Sequence, residues 1–144
     1  MNQTEQMKKE YLMRYQTMAL RINILTDQAQ ELQEMAVRTT PFLSGMPGGG
    51  GPNIHKLEEG VERLMQAKER ISQALTQAMQ VRQEIETVIE SVPEEKLRYI
   101  LQAKYLLGKS WGSMSDDLHM DERWLRRLHN RALAQLEIPG QLSA

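Results

Sequence analysis

Three observations predict an all-α fold. The chain is rich in Gln, Glu, Arg, Leu, Ala and Met, the strong helix formers. Two long stretches carry apolar or small residues at alternating spacings of four and three. Proline and glycine are concentrated between those stretches. The expected architecture is a long antiparallel helical hairpin of coiled-coil character over residues 1–92. Its Pro/Gly connector falls at residues 39–53, and a C-terminal unit of three helices spans residues 93–144.

The first stretch runs from about Thr4 to Arg38. Its seam reads Tyr11, Tyr15, Met18, Ile22, Leu25, Ala29, Leu32 and Ala36. Two inward positions in every seven form the coiled-coil pattern. Nothing in this stretch breaks a helix, which would be about 50 Å long at 1.5 Å per residue. Residues Thr39 to Asn53 then hold Pro41, Pro47 and Pro52, with Gly45 and the run Gly48 to Gly51. Proline lacks a backbone donor and glycine is entropically costly in a helix, so a connector is expected. Phe42, Leu43 and Met46 are available to pack against the end of the hairpin.

The second stretch, from about Ile54 to Val92, gives a seam of Leu57, Val61, Leu64, Lys68, Ile71, Leu75, Ala78, Arg82, Ile85, Ile89 and Val92. Lys68 and Arg82 are polar positions in it, which can fix register at a cost in stability. The other reading is a stripe drifting onto the adjacent Ala74, Val81 and Val88. Two helices with stripes this long cannot close a core by themselves. Self-association through residues 11–36 and 57–92 is therefore expected, with a dimer as the simplest closure.

Pro93 ends the second stretch. A first short helix, Glu94 to Leu107, is expected to bury Leu97, Ile100, Leu101 and Tyr105, and Gly108 stops it. Ser110 can cap a second helix, on which Trp111, Met114, Ser115 and Leu118 share one face. His119 and Met120 make a turn, and Asp121 caps a third helix. At about 100° per residue, Leu125, Leu128, Ala132 and Leu136 gather on one side of that helix. Arg123, Arg126, Arg127 and Asn130 gather on the other. Between Met120 and Ala134 four arginines stand against Asp121 and Glu122, while the whole chain carries a formal net charge of −1. Basic charge is thus concentrated on one short helix. Arginine can fork onto guanine edges or phosphates, and asparagine can pair with adenine. A short helix, a tight turn and a basic helix together suggest a helix-turn-helix reading the major groove of double-stranded DNA with residues 121–136. The candidate contacts are Arg123, Arg126, Arg127, Asn130 and Arg131, with Lys109 and Ser110 at the start of the second helix. His129 lies between the two faces, within reach of a phosphate. Trp124 is expected to pack on the core edge beside Leu128.

The string Leu106-Leu107-Gly108-Lys109-Ser110-Trp111, then Met114-Ser115, Leu118 and Arg127-Leu128-His129-Asn130-Arg131-Ala132-Leu133, resembles region four of bacterial sigma factors. More closely, it resembles sigma-like helix-turn-helix proteins of phages and prophages of Gram-positive bacteria. These include an uncharacterised family and, more distantly, the ArpU-type and RinA-type late-gene regulators. The connector Thr40-Pro41-Phe42-Leu43-Ser44-Gly45-Met46-Pro47-Gly48-Gly49-Gly50 extends the likeness over nearly the whole chain. The resemblance implies DNA binding and transcriptional control, with host RNA polymerase as a further partner, in the cytoplasm of a bacterial host. Two positions depart from the pattern. His119 stands where glycine is usual, and Ser115 where alanine is usual.

Other functions find less support. With no cysteine there are no thiolate metal sites or disulfides. His55, His119 and His129 are scattered, so no metal or other cofactor is expected. Ala103 to Ser110 is a relaxed match to a phosphate-binding loop, but no strand precedes it. Neighbouring acids such as Asp116-Asp117 point apart on a helix, and no activated nucleophile is visible. An enzyme is not expected. No segment is apolar enough to span a bilayer. A transcriptional regulator is the leading expectation. The alternatives are a DNA-packaging subunit resembling a small terminase, and an interaction protein acting on RNA polymerase.

Overall fold

The computed structural model describes residues 3–44 and 52–139. Every regular element among them is helical, as the sequence predicts: α1 (Gln3–Ser44), α2 (Pro52–Glu90), α3 (Glu95–Leu101), a π-helical turn (Gln102–Leu106), α4 (Trp111–Leu118) and α5 (Glu122–Gln135). None of these helices is long and apolar enough to cross a membrane.

The expected connector is shorter than its composition suggests. Helix α1 continues past Arg38 and through Pro41 to Ser44, and α2 begins at Pro52. Proline at 41 removes one hydrogen bond near a helix end without stopping the helix. Proline at 52 occupies the first turn, where its missing N–H would have had no helical partner. The side chains of Phe42 and Leu43, and the whole of Met46, lie outside the described residues.

By packing, the chain divides into two compact units, Met1–Met18 with Ala78–Ala144, and Ala19–Gln77. Pro93 therefore marks a break in the chain but not in the packing. The core of the first unit joins Leu12 of α1 and Ile85 and Ile89 of α2 to Leu97, Ile100, Leu101, Met114, Leu125, Leu133 and Leu136. Each of these is essentially inaccessible to solvent. Burial of one such side chain is worth about 1.5–3 kcal/mol. A buried polar contact accompanies this core, in which Lys8 Nζ donates to the Leu133 carbonyl at 2.7 Å.

The π-helical turn has no counterpart in the sequence pattern, which predicts one continuous helix from Glu94 to Leu107. Here Leu107 N bonds to Gln102 O at 3.1 Å and Lys109 N to Ala103 O at 3.0 Å. The wider turn directs carbonyls toward side-chain donors. Gln16 Nε2 donates to Lys104 O at 2.6 Å, and Arg82 Nη1 donates to Leu106 O at 3.3 Å. Arg82, one of the two polar positions of the predicted seam, also places its guanidinium 5.1 Å from the Tyr15 ring centre. Gly108 ends the turn with φ +69°, a left-handed conformation suited to glycine.

In the second unit, Ala29, Gln33 and Val37 of α1 line a groove with Lys68 and Ile71 of α2. Leu32 and Ala36 line another with Leu57 and Gly60. None of the eight predicted seam positions of α1 is exposed. Of the eleven predicted seam positions of the second stretch, eight are not exposed. Leu57, Leu64, Ile71 and Ala78 face inward, but Val61, Lys68 and Leu75 are exposed. Gly60, Ala67 and Ala74 take their places. The inward line thus runs through small residues, with larger apolar neighbours facing out. One consequence is an apolar exterior, with Leu20 and Met65 each more than 60 % exposed.

Candidate nucleic-acid interface

The interface is built on α4, the turn after it and α5, all within the first unit. Ser110 holds the N-cap position of α4, where its hydroxyl accepts from Ser113 N at 3.1 Å. Met114 is buried, and Trp111, Ser115 and Leu118 are partly buried, so the predicted inner face is present. His119 ends α4 in the left-handed region at φ 55°, ψ 44°. Histidine thus supplies the conformation for which glycine is usual. The Ser115 hydroxyl donates to the Met120 carbonyl, and Met120 N returns a bond to Ser115 O. Serine therefore ties the turn closed at a position where alanine could not.

Asp121 precedes α5 at the N-cap position, but its side chain makes no capping bond there, contrary to expectation. Leu125, Leu128, Ala132 and Leu133 are buried, as is Leu136 just beyond the helix. Arg123, Arg126, Arg127, Asn130 and Arg131 are all exposed. At 100° per residue, Arg123, Arg127 and Asn130 sit opposite the buried face, while Arg126 and Arg131 occupy its two flanks. The start of α5 lies against the start of α4, since a Cβ on Gly112 would meet Glu122 Oε1 at 3.3 Å.

The flanking cations have different neighbours. Arg131 pairs with Glu94 at 3.0 Å, and Gln135 donates to the same carboxylate oxygen. Lys109 pairs with Asp117 at 2.5 Å, and this carboxylate raises its pKa. Arg126 instead lies 5.6 Å from the Trp111 ring centre, and Lys104 Nζ lies 4.7 Å from the same ring. Neither Arg131 nor Lys109 is available to a ligand without giving up its acid. Ser110 serves the backbone of its own helix.

One expectation is corrected. His129 does not reach toward a phosphate. It is 2 % exposed, with Nε2 2.6 Å from the Tyr105 hydroxyl and its ring edge-on to Trp111. Burial, then the nearby charges of Lys9 and Lys104, lowers its pKa to about 4, so the ring is neutral at pH 7. Burial pushes the Tyr105 phenol well up, so the bond joins a protonated hydroxyl to a neutral ring. Trp124 stands 48 % exposed, at the outer edge of the face that carries Leu128, so the core covers it only in part. Lys104 and Lys9 carry no signal in the sequence, where they sit 95 residues apart and in no shared motif.

An all-helical protein with a basic, solvent-facing C-terminal helix is the class that this geometry defines. Residues 48–137 match the family described as protein of unknown function DUF1492, and the chain belongs to that family. No curated protein and no solved structure matches the chain.

Proposed function

We propose that this protein is a sequence-specific double-stranded DNA-binding transcriptional regulator of a phage or prophage, with α4, its turn and α5 acting as a helix-turn-helix. The observation that carries the reading is the two-sidedness of α5. Five apolar residues of the segment 125–136 are buried, while Arg123, Arg127 and Asn130 stand exposed on the opposite side with no acid bonded to them among the described residues. Such a helix can enter a major groove, fork onto guanine with arginine and pair adenine with asparagine. The long helices α1 and α2 then act as a hairpin that pairs copies of the chain, so that two heads face two half-sites. The exposed Leu20, Ile24, Val61, Met65 and Leu75 support that role, because a two-helix unit leaves them without cover.

The test is to recover the DNA bound across the source genome and to measure the mass of the same sample in solution. A dimer protecting one short operator is expected. Arg123→Ala with Arg127→Ala should lower affinity for that operator tenfold or more and flatten its sequence preference, with helicity unchanged. Equal affinity of variant and parent would overturn the assignment of the reading face. A ring of many copies would point to packaging, and the absence of salt-sensitive DNA affinity to a protein partner.

A further inference from the structure

We propose that Lys104 and Arg126, both set against the Trp111 ring, form with Lys9 of α1 a phosphate-binding site that grips the DNA backbone beside α5. This inference rests on the DNA-binding reading and extends the contact surface to α1 and the π-helical turn.

Lys104 and Arg126 come from the π-helical turn and from α5, so their meeting at Trp111 is a product of the fold. Lys104 Nζ and Arg126 Cζ lie 4.7 and 5.6 Å from one aromatic ring. Among the described residues neither these two nor Lys9 makes an ion pair, whereas Arg131 and Lys109 are each bonded to a carboxylate. The cations also act on one another. Lys104 is held below its ordinary pKa by burial first, then by the charges of Arg126 and Lys9. His129 beneath them feels Lys9 and Lys104 in the same sense. Like charges drawn together without an acid are unfavourable in the free protein. An incoming phosphate relieves that repulsion and accepts charge-assisted hydrogen bonds from both lysines and the guanidinium. The Trp111 ring packs edge-on to His129 and is the shared contact of Lys104 and Arg126. The site lies on the flank of α5, where a phosphate backbone would pass if Arg123 and Arg127 point into the groove. It therefore sets register and affinity and does not read sequence.

The experiment uses the full chain. Lys9→Gln, Lys104→Gln and the double variant are compared with the parent and with Lys56→Gln, an exposed lysine on α2. Affinity is measured over a salt series for an operator and an unrelated duplex. Both affinities should fall by a common factor, leaving their ratio unchanged, and the log–log salt slope should shrink by about 0.9 for each phosphate that is no longer neutralised. Lys56→Gln should match the parent. Circular dichroism checks folding, and Lys9→Gln alone, which removes no core side chain, keeps the test open if Lys104→Gln unfolds. If the parent binds DNA and the variants keep its affinity and slope, this site is wrong and the DNA reading stands. If the parent has no salt-sensitive DNA affinity, that reading falls and takes the site with it. Inorganic phosphate titrated at constant ionic strength forms the last arm. Loss of its binding in variants with intact DNA affinity would identify a free-anion site and overturn the backbone clamp.

Discussion

Lys8 near the start of α1 donates its ammonium proton to the carbonyl of Leu133 near the end of α5, across 2.7 Å, and the lysine is 7 % exposed. The contact places a cation at the C-terminal end of a helix, where the helix dipole favours it. Next to it, Leu12 is completely buried in the core that holds α5 in place.

The proposed DNA-binding head should therefore depend on the first helix for its stability. Leu12→Ala removes a fully buried side chain and should cost about 2–5 kcal/mol. Thermal unfolding followed by circular dichroism, read beside a tryptophan emission melt, measures this cost. A fragment starting at Glu94 lacks Leu12, Ile85 and Ile89 together and should not fold cooperatively. A sharp melt of that fragment at the parent's temperature would contradict the shared core.

Protonation of His129 should unfold the same unit. Its folded pKa, about 4, lies below the unfolded value of about 6.5. The unfolded state thus binds the proton first. The contribution of the neutral ring is complete above about pH 6.5 and is lost as the pH falls toward 4. The loss amounts to about 3 kcal/mol by linkage. Denaturant unfolding at pH 7 and pH 4.5 should show this fall in the parent. His129→Phe combined with Tyr105→Phe, which removes both partners of the buried bond, should show a smaller one.

Backbone conformation gives a pair of opposite predictions. Gly108→Ala puts a Cβ on a residue at φ +69° and brings it 3.3 Å from Gln16 Nε2, so a loss of about 1–2 kcal/mol is expected. His119→Gly relieves a left-handed residue at φ 55° and should be neutral or stabilising by up to about 1 kcal/mol. Melting temperatures of the two variants should move in different directions, or the second should not move. A stabilised Gly108→Ala would refute the strained conformation.

Much of this architecture was legible because periodicity reports burial directly. The α1 seam and the buried face of α5 follow from spacing alone. The α2 seam was largely legible. Spacing placed Leu57, Leu64, Ile71, Ala78, Ile85 and Ile89 inward, but large apolar residues drew the alternate line through Val61 and Leu75. The inward line takes in Gly60, Ala67 and Ala74 instead, and Ala74, Val81 and Val88 of the drifting stripe are all partly buried. On the interface, the exposure of Arg123, Arg127 and Asn130 could be read from one helix. The pairing of Arg131 with Glu94, 37 residues away, could not, because it depends on how α3 meets α5. Nor could the π-helical turn, for which the residues Gln102 to Leu106 carry no local signature, or the meeting of Lys104 with Arg126 at the Trp111 ring.

The bond between Lys8 and Leu133 also has a consequence for synthesis. Its partners are separated by 125 residues. At about 5–20 residues per second, a ribosome needs roughly 6–25 s to make the stretch between them. For most of that interval Leu12 is already made while Leu125 and Leu133 are not. The early part of the chain must wait in a partly apolar, unpaired state, and a message cut short before the last helix leaves it there for good. Premature stop codons upstream of α5 should thus yield products in which the Leu12 end of α1 and the end of α2 that carries Ile85 and Ile89 have no core to join and are open to proteases.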